Sequence, residues 1–170
     1  MRVRILPLDP THLRALMESE DRYEQASGLR LAEGIRKFLS AAAPEYFAEI
    51  QSATAADPWR LGFAVALEET ALVIGMCGFK GPPDAEGIAE IAYGIAPAWQ
   101  NKGLATLAAK ELIDFARSSG LVATLRAHTL PEPNASTRVL EKCTFQHTGV
   151  INDPADGLVW RWERRLDAAG

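Results

Sequence analysis

The sequence predicts a single-domain mixed α/β fold, a mostly antiparallel sheet of about seven strands flanked by about four helices. Three observations carry this expectation. Leu61 to Leu67 alternates large apolar residues with smaller or polar ones, and the wholly apolar run Ala71 to Phe79 follows across a turn at Glu68 and Glu69, so the two pair as an antiparallel hairpin. Ile88 to Ile95 is rich in Ile, Ala and Tyr and is a strand that Pro97 cannot extend. Leu104, Leu107, Ala108, Leu112, Phe115 and Ala116 recur at three- and four-residue intervals, forming one buried stripe of a helix whose polar side carries Lys110, Glu111 and Asp114.

The remaining elements follow in chain order. Val3 to Leu8 reads as a strand stopped by Asp9 and Pro10, and Thr11 is placed to cap a helix through Leu13, Leu16 and Met17. Leu31, Ala32, Ile35, Phe38 and Leu39 mark a second amphipathic helix with Arg30, Glu33, Arg36 and Lys37 in solvent, and another follows Pro44 with Tyr46, Phe47 and Ile50 inward. Pro82 to Gly87 is a loop. Ser118, Ser119 and Gly120 stop the central helix, and Leu121 to Thr129 is the next strand. Pro133 or Asn134 opens a helix through Val139 and Leu140. Phe145 to Val150 and Leu158 to Arg164 then close the sheet around the turn-rich stretch Asn152 to Gly157.

Length and composition narrow the function. The 170 residues fit one domain, taken as 1–170, with no repeat or linker to divide it. A net charge of -4 gives no basic footprint for nucleic acid. No apolar run approaches the roughly twenty residues of a membrane helix, and the charged start Met1-Arg2-Val3-Arg4 is not a signal peptide, so a cytoplasmic protein without a membrane partner is expected. The two cysteines make no disulfide framework, Cys77 reading as a buried thiol. The three histidines lack helical pairing or cysteine partners, so no metal is expected. Trp160 and Trp162 share a strand face, for core packing or a homodimer contact.

The chemistry is placed in Gln100-Asn101-Lys102-Gly103-Leu104-Ala105, between the strand and the central helix. A helix start offers unpaired backbone N–H groups and the positive end of the helix dipole, which together favour an anion such as phosphate. Gly103 and Ala105 leave room for a guest to approach the backbone, and Lys102 adds charge at the rim. The same glycine also serves simply to ease entry into a packed helix, and spacing alone leaves both readings standing. Neither Gly-x-x-x-x-Gly-Lys-Ser/Thr nor a strand-borne Gly-x-Gly-x-x-Gly is present, which removes the common nucleoside triphosphate and dinucleotide readings.

Gln-x-x-Gly-x-Ala after an apolar strand resembles the acetyl-coenzyme A pyrophosphate loop of the GNAT superfamily of N-acetyltransferases. A second block, Asn134-Ala135-Ser136-Thr137-Arg138-Val139-Leu140-Glu141-Lys142-Cys143-Thr144-Phe145, resembles the ribosomal-protein (Rim-type) branch, where Asn-x-Ala-Ser-x-Arg-Val-Leu-Glu-Lys-x-Gly-Phe is typical. The resemblance covers the C-terminal two thirds in detail and the rest in outline. It implies direct acetyl transfer from acetyl-coenzyme A to a primary amine, a protein N-terminal α-amine or a small molecule, through a tetrahedral intermediate. The alternative is a non-catalytic acyl-coenzyme A binding module of the same fold.

By this resemblance the main chain of Lys102, Gly103, Leu104, Ala105 and Thr106 holds the pyrophosphate, with Gln100 and Asn101 lining the loop. The pantetheine arm runs beside Ile95 and Ala96, where the sheet splays, and a backbone N–H near Ile95 polarises the thioester carbonyl. Glu90, a charge in an otherwise apolar strand, is the candidate base for an amine that is largely protonated at neutral pH; its other reading is an edge residue in solvent or paired with an arginine. Leu140 stands where many members carry a tyrosine acid, and Ser136 is the candidate in its place, with helix capping as the competing role. Asn134 contacts the cofactor or shapes the loop. It stands one place later than the family's asparagine, where this chain has Pro133. Thr144 replaces a glycine, a poor exchange if that site needs positive φ.

Overall fold

The computed structural model describes residues 1–166, so the last four residues of the expected domain lie outside it. Its strands are β1 (Val3–Pro7), β2 (Phe63–Leu67), β3 (Val73–Phe79), β4 (Ile88–Ile95), β5 (Thr124–Thr129), β6 (Gln146–Asp153) and β7 (Gly157–Arg165). The helices are α1 (Pro10–Glu18), α2 (Glu20–Ser27), α3 (Arg36–Ser40), α4 (Pro44–Ser52), α5 (Leu104–Ser119) and α6 (Ala135–Lys142). All seven strands form one sheet in the order β1-β2-β3-β4-β5-β7-β6. Each pairing is antiparallel except β4 with β5.

The sheet is as expected, while the described residues hold six α-helices rather than about four. α2 escapes the apolar pattern because Tyr23 is its one buried residue. The helix expected over Leu31 to Leu39 shrinks to the five residues of α3: Gly34 takes φ 95°, and Leu31 instead bridges Val73 beside β3. At α1 the cap is Asp9, whose carboxylate accepts from the Thr11 N–H at 2.7 Å, and not Thr11. β2 is buried along its whole length instead of on one face. Phe63, Val65 and Leu67 meet the core under α5, whereas Ala64 joins Leu13, Leu16 and Ile50 beneath α1 and α4.

Two packed layers therefore sandwich the sheet. On one side α5 buries Leu104, Ala108, Leu112 and Ala116 against the sheet, lying over β1, β3 and β4. Phe115 anchors its far end among Phe63, Phe79 and Trp59, with ring centroids 5.1 to 5.8 Å away. On the other side α3 lays Phe38 over Gly94, where an added Cβ would lie 2.8 Å from the ring. These contacts fix both ends of the strand, loop and helix unit that holds the site.

Candidate active site

The link from β4 to α5 is shaped by backbone conformation. After a 3₁₀ turn at Pro97–Trp99, Asn101 and Gly103 take φ of 62° and 77°, so the chain doubles back and enters α5 with its N–H groups facing outward. No side chain caps the helix, and its first internal bond runs from the Leu107 N–H to the Gly103 carbonyl at 3.2 Å. The N–H groups of Leu104, Ala105 and Thr106 thus have no intrahelical partner. Gln100, Asn101, Lys102 and Gly103 are exposed, and a Cβ at Gly103 would meet nothing within 4 Å. Leu104 and Thr106 are buried, so they offer the loop their main chain alone.

Beside this loop the sheet opens. β4 pairs with β5 at Ile88–Thr124, Ala89–Leu125 and Glu90–Arg126 and no further, while β5 stays paired with β7 through Thr129. Beyond Glu90 the edge of β4 that faces β5 is free. The Lys80 N–H donates to the Glu90 carbonyl and the Ala96 N–H to the Ile74 carbonyl, each at 2.8 Å. By antiparallel alternation residues 90, 92, 94 and 96 spend their main chain on the β3 side, so Tyr93 and Ile95 present theirs to the wedge. Ala96, expected to line it, is committed on both counts, since its carbonyl accepts from the Trp99 N–H at 2.9 Å. Gln100 ties the loop to the strand end: its Nε2 donates to the Ile95 carbonyl at 2.9 Å.

The outer face of β4 carries the charges. Glu90 is neither idle in solvent nor bound to an arginine: its Oε2 takes Lys80 Nζ at 2.8 Å and lies 3.2 Å from His128 Nδ1. Arg126 stands opposite Glu90 in register but gives both Nε and a terminal nitrogen to Glu163 Oε2, at 2.9 and 2.8 Å. Next to Glu90 on the same face Ala92 is exposed, so this part of β4 is open to solvent, with Phe38 beyond it over Gly94.

The far wall of the wedge is α6. Asn134 is its N-cap in a capping box: its Oδ1 accepts from the Thr137 N–H while Thr137 Oγ1 accepts from the Asn134 N–H, both at 2.9 Å. Asn134 thus caps the helix through Oδ1, its side-chain NH2 taking no part in the box, and Ser136 is not the capping residue. Tyr93, half-buried on the helix side of β4, crosses the wedge and donates its hydroxyl to the Ser136 carbonyl at 3.2 Å. Burial pushes this phenol up to about 12, so it stays protonated through the neutral range. Leu140 is fully buried. Thr144 does take positive φ, 60°, so the turn keeps the conformation of a glycine despite its β-branched occupant.

Tyr93, Lys80 and Arg161 were not singled out by sequence reasoning. Alternation from Glu90 would have placed Lys80 across the hairpin, but the loop from Pro82 to Gly87 hides the register. Burial raises the Cys77 and Cys143 thiols above the ordinary range, which disfavours the thiolate form of both. No group of three or more metal-ligating side chains occurs among the described residues, and no helix there is long and apolar enough to cross a membrane.

The family model of the acetyltransferase (GNAT) domain matches residues 2–146. The chain belongs to the GNAT acetyltransferase family. Among curated relatives, an uncharacterized N-acetyltransferase p20 of Bacillus licheniformis is 34% identical over 91 residues, 54% of this chain and 51% of that protein. YjdG of Bacillus subtilis, also an uncharacterized N-acetyltransferase, is 33% identical over 73 residues, 43% of this chain and 44% of that protein. The chain thus spans about half the length of the curated relatives it matches. Among solved structures, RimL, a ribosomal L7/L12 α-N-protein acetyltransferase in complex with coenzyme A, superposes with a TM-score of 0.67 at 14% identity, covering 99% of this chain and 96% of that one. A GNAT-family acetyltransferase of Bacillus anthracis gives 0.65 at 19% identity, covering 97% and 95%. At these identities the structural likeness speaks for the fold.

Proposed function

We propose that this protein transfers an acetyl group from acetyl-coenzyme A directly to a primary amine, a protein N-terminal α-amine or a small-molecule amine. One observation carries the proposal: the uncapped N-terminus of α5 and the free edge of β4 are joined by Gln100 into one continuous surface of main-chain donors. That surface fits a diphosphate followed by an extended amide chain, the two halves of coenzyme A. The N–H groups of Gly103 to Thr106 and the Lys102 ammonium hold the diphosphate, and the Ile95 N–H takes a pantetheine amide.

Acetyl-coenzyme A would supply the acetyl thioester; the chain supplies position and proton transfer. An extended strand advances about 3.3 Å per residue, so Tyr93 lies about 10 Å from Glu90 and Ile95 about 17 Å. A base must reach its amine directly or through water, which favours the Tyr93 N–H, rather than that of Ile95, as the donor to the developing oxyanion. Glu90 accepts the amine proton through water on the outer face. Ser136, whose hydroxyl has no hydrogen-bond partner among the described residues and sits on the first turn of α6, donates to the leaving thiolate.

The test is thiol release from acetyl-coenzyme A across a panel of α-amines, lysines and polyamines, with Glu90→Gln and Ser136→Ala alongside. The proposal expects release with at least one amine class and about a hundredfold loss for Glu90→Gln at unchanged cofactor affinity. Tight cofactor binding with no release for any amine would instead favour the second reading, a non-catalytic acyl-coenzyme A binding module, which the buried Leu140 at the tyrosine position supports.

A further inference from the structure

We propose that His128 and Arg161 are positioning residues, a hydrogen-bonded chain that fixes the Glu90 carboxylate on the exposed face of β4 beside Ala92; this rests on Glu90 being the base. Arg161 Nε lies 3.1 Å from His128 Nε2. A guanidinium has donors and no acceptor, so Nε2 must offer its lone pair. The imidazole proton then sits on Nδ1, which lies 3.2 Å from Glu90 Oε2 and donates to it. Arg161 in this way selects one tautomer of His128, and that tautomer points an N–H at the carboxylate.

The strand register puts each partner in place. His128 on β5 is directly opposite Arg161 on β7, and two rungs earlier on the same face Arg126 with Glu163 closes on itself. Arg126 is thereby kept off Glu90, although register sets the two side by side. The carboxylate is left with two unlike partners. Lys80 Nζ comes from a side chain 58% exposed, free to swing into solvent, whereas the His128 side chain is 18% exposed and braced from behind. The His128 N–H orients the carboxylate without adding a second full charge to that of the Lys80 ammonium, which suits a group that must take up a proton. The remaining charged neighbour is Asp153 at the end of β6, close enough to feel both Lys80 and His128.

The experiment combines nitrogen NMR of the histidine rings with kinetics of His128→Leu, Arg161→Met and Glu90→Gln. In the wild-type protein His128 should show a protonated Nδ1 and an acceptor Nε2, and combining Arg161→Met with Glu90→Gln, whose amide can donate as well as accept, should release it toward the Nε2–H form. Both positioning variants should lose about tenfold in kcat, less than Glu90→Gln, with KM for acetyl-coenzyme A unchanged. Unchanged cofactor affinity also certifies that each variant is folded. A wild-type spectrum with the proton on Nε2 overturns the chain itself. Wild-type turnover in both positioning variants beside a crippled Glu90→Gln overturns positioning and leaves the base standing. Wild-type turnover in Glu90→Gln overturns the base, and with it the purpose of the chain.

Discussion

Gly103 offers the sharpest perturbation of the anion site, because conformation and charge can be separated there. Its φ of 77° is left-handed, and a Cβ would enter open space. Gly103→Ala therefore costs only the strain of that conformation, about 1–2 kcal/mol, well below the roughly 5–15 kcal/mol that holds a domain folded. Gly103→Glu pays the same strain and adds a carboxylate beside the phosphates. At a separation of about 5 Å and an effective dielectric of about 20, each like-charge pair costs about 3 kcal/mol. Urea midpoints should thus fall equally in the two variants, while titration calorimetry with coenzyme A shows at least a hundredfold greater loss of affinity for Gly103→Glu than for Gly103→Ala. Equal affinities in the two variants would refute the placement of the diphosphate.

Thr144→Gly should stabilise the protein by about 1 kcal/mol, since relief of left-handed strain at φ 60° outweighs the added chain entropy; a lower urea midpoint would contradict it. Gly75→Ala should destabilise by about 2–3 kcal/mol, because the new Cβ would stand 2.3 Å from the Gly94 carbonyl oxygen, and an unaltered melting temperature would show that β3 and β4 are not so closely apposed. Tyr46 and Tyr93 are each pushed by burial from 10.0 up to about 12. Between those values the folded state binds more protons than the unfolded chain, so stability is fully present below about pH 10 and is lost as pH rises toward about 12, by roughly 2–3 kcal/mol for each tyrosine. Denaturant titrations across that window, repeated with Tyr46→Phe, should show the slope reduced in the variant; a flat profile in the wild type would speak against burial of both phenols.

Much of the fold was legible because strand and helix periods are written in apolar residues. The strand Ile88 to Ile95 and the helix starting at Leu104 stand where spacing puts them, and every strand has its counterpart in the sequence. The stretch from Glu20 to Ser40 was not legible in the same way. α2 is held by Tyr23 and its caps rather than by a stripe, and Gly34 breaks a pattern that looks helical through Leu39.

At the site, the loop could be read because a helix start and a glycine signal it locally. The wedge could not be derived from residues alone, since where β4 and β5 part depends on register between strands distant in sequence. The same holds for the partners of Glu90. Lys80, His128 and Arg161 come from three different segments and meet through pairing alone. Asn134 and Ser136 were ambiguous as a pair, because either residue type can cap a helix; the capping box identifies Asn134 as the cap and leaves the Ser136 hydroxyl unclaimed among the described residues.

Amide hydrogen exchange with and without coenzyme A tests the central claim most directly. Binding should slow exchange at Tyr93 and Ile95 and at Gly103 to Thr106, and leave Ala92, Gly94 and Ala96, whose N–H groups already serve β3, unchanged. Saturable binding that protects neither the free edge of β4 nor the first turn of α5 would contradict it.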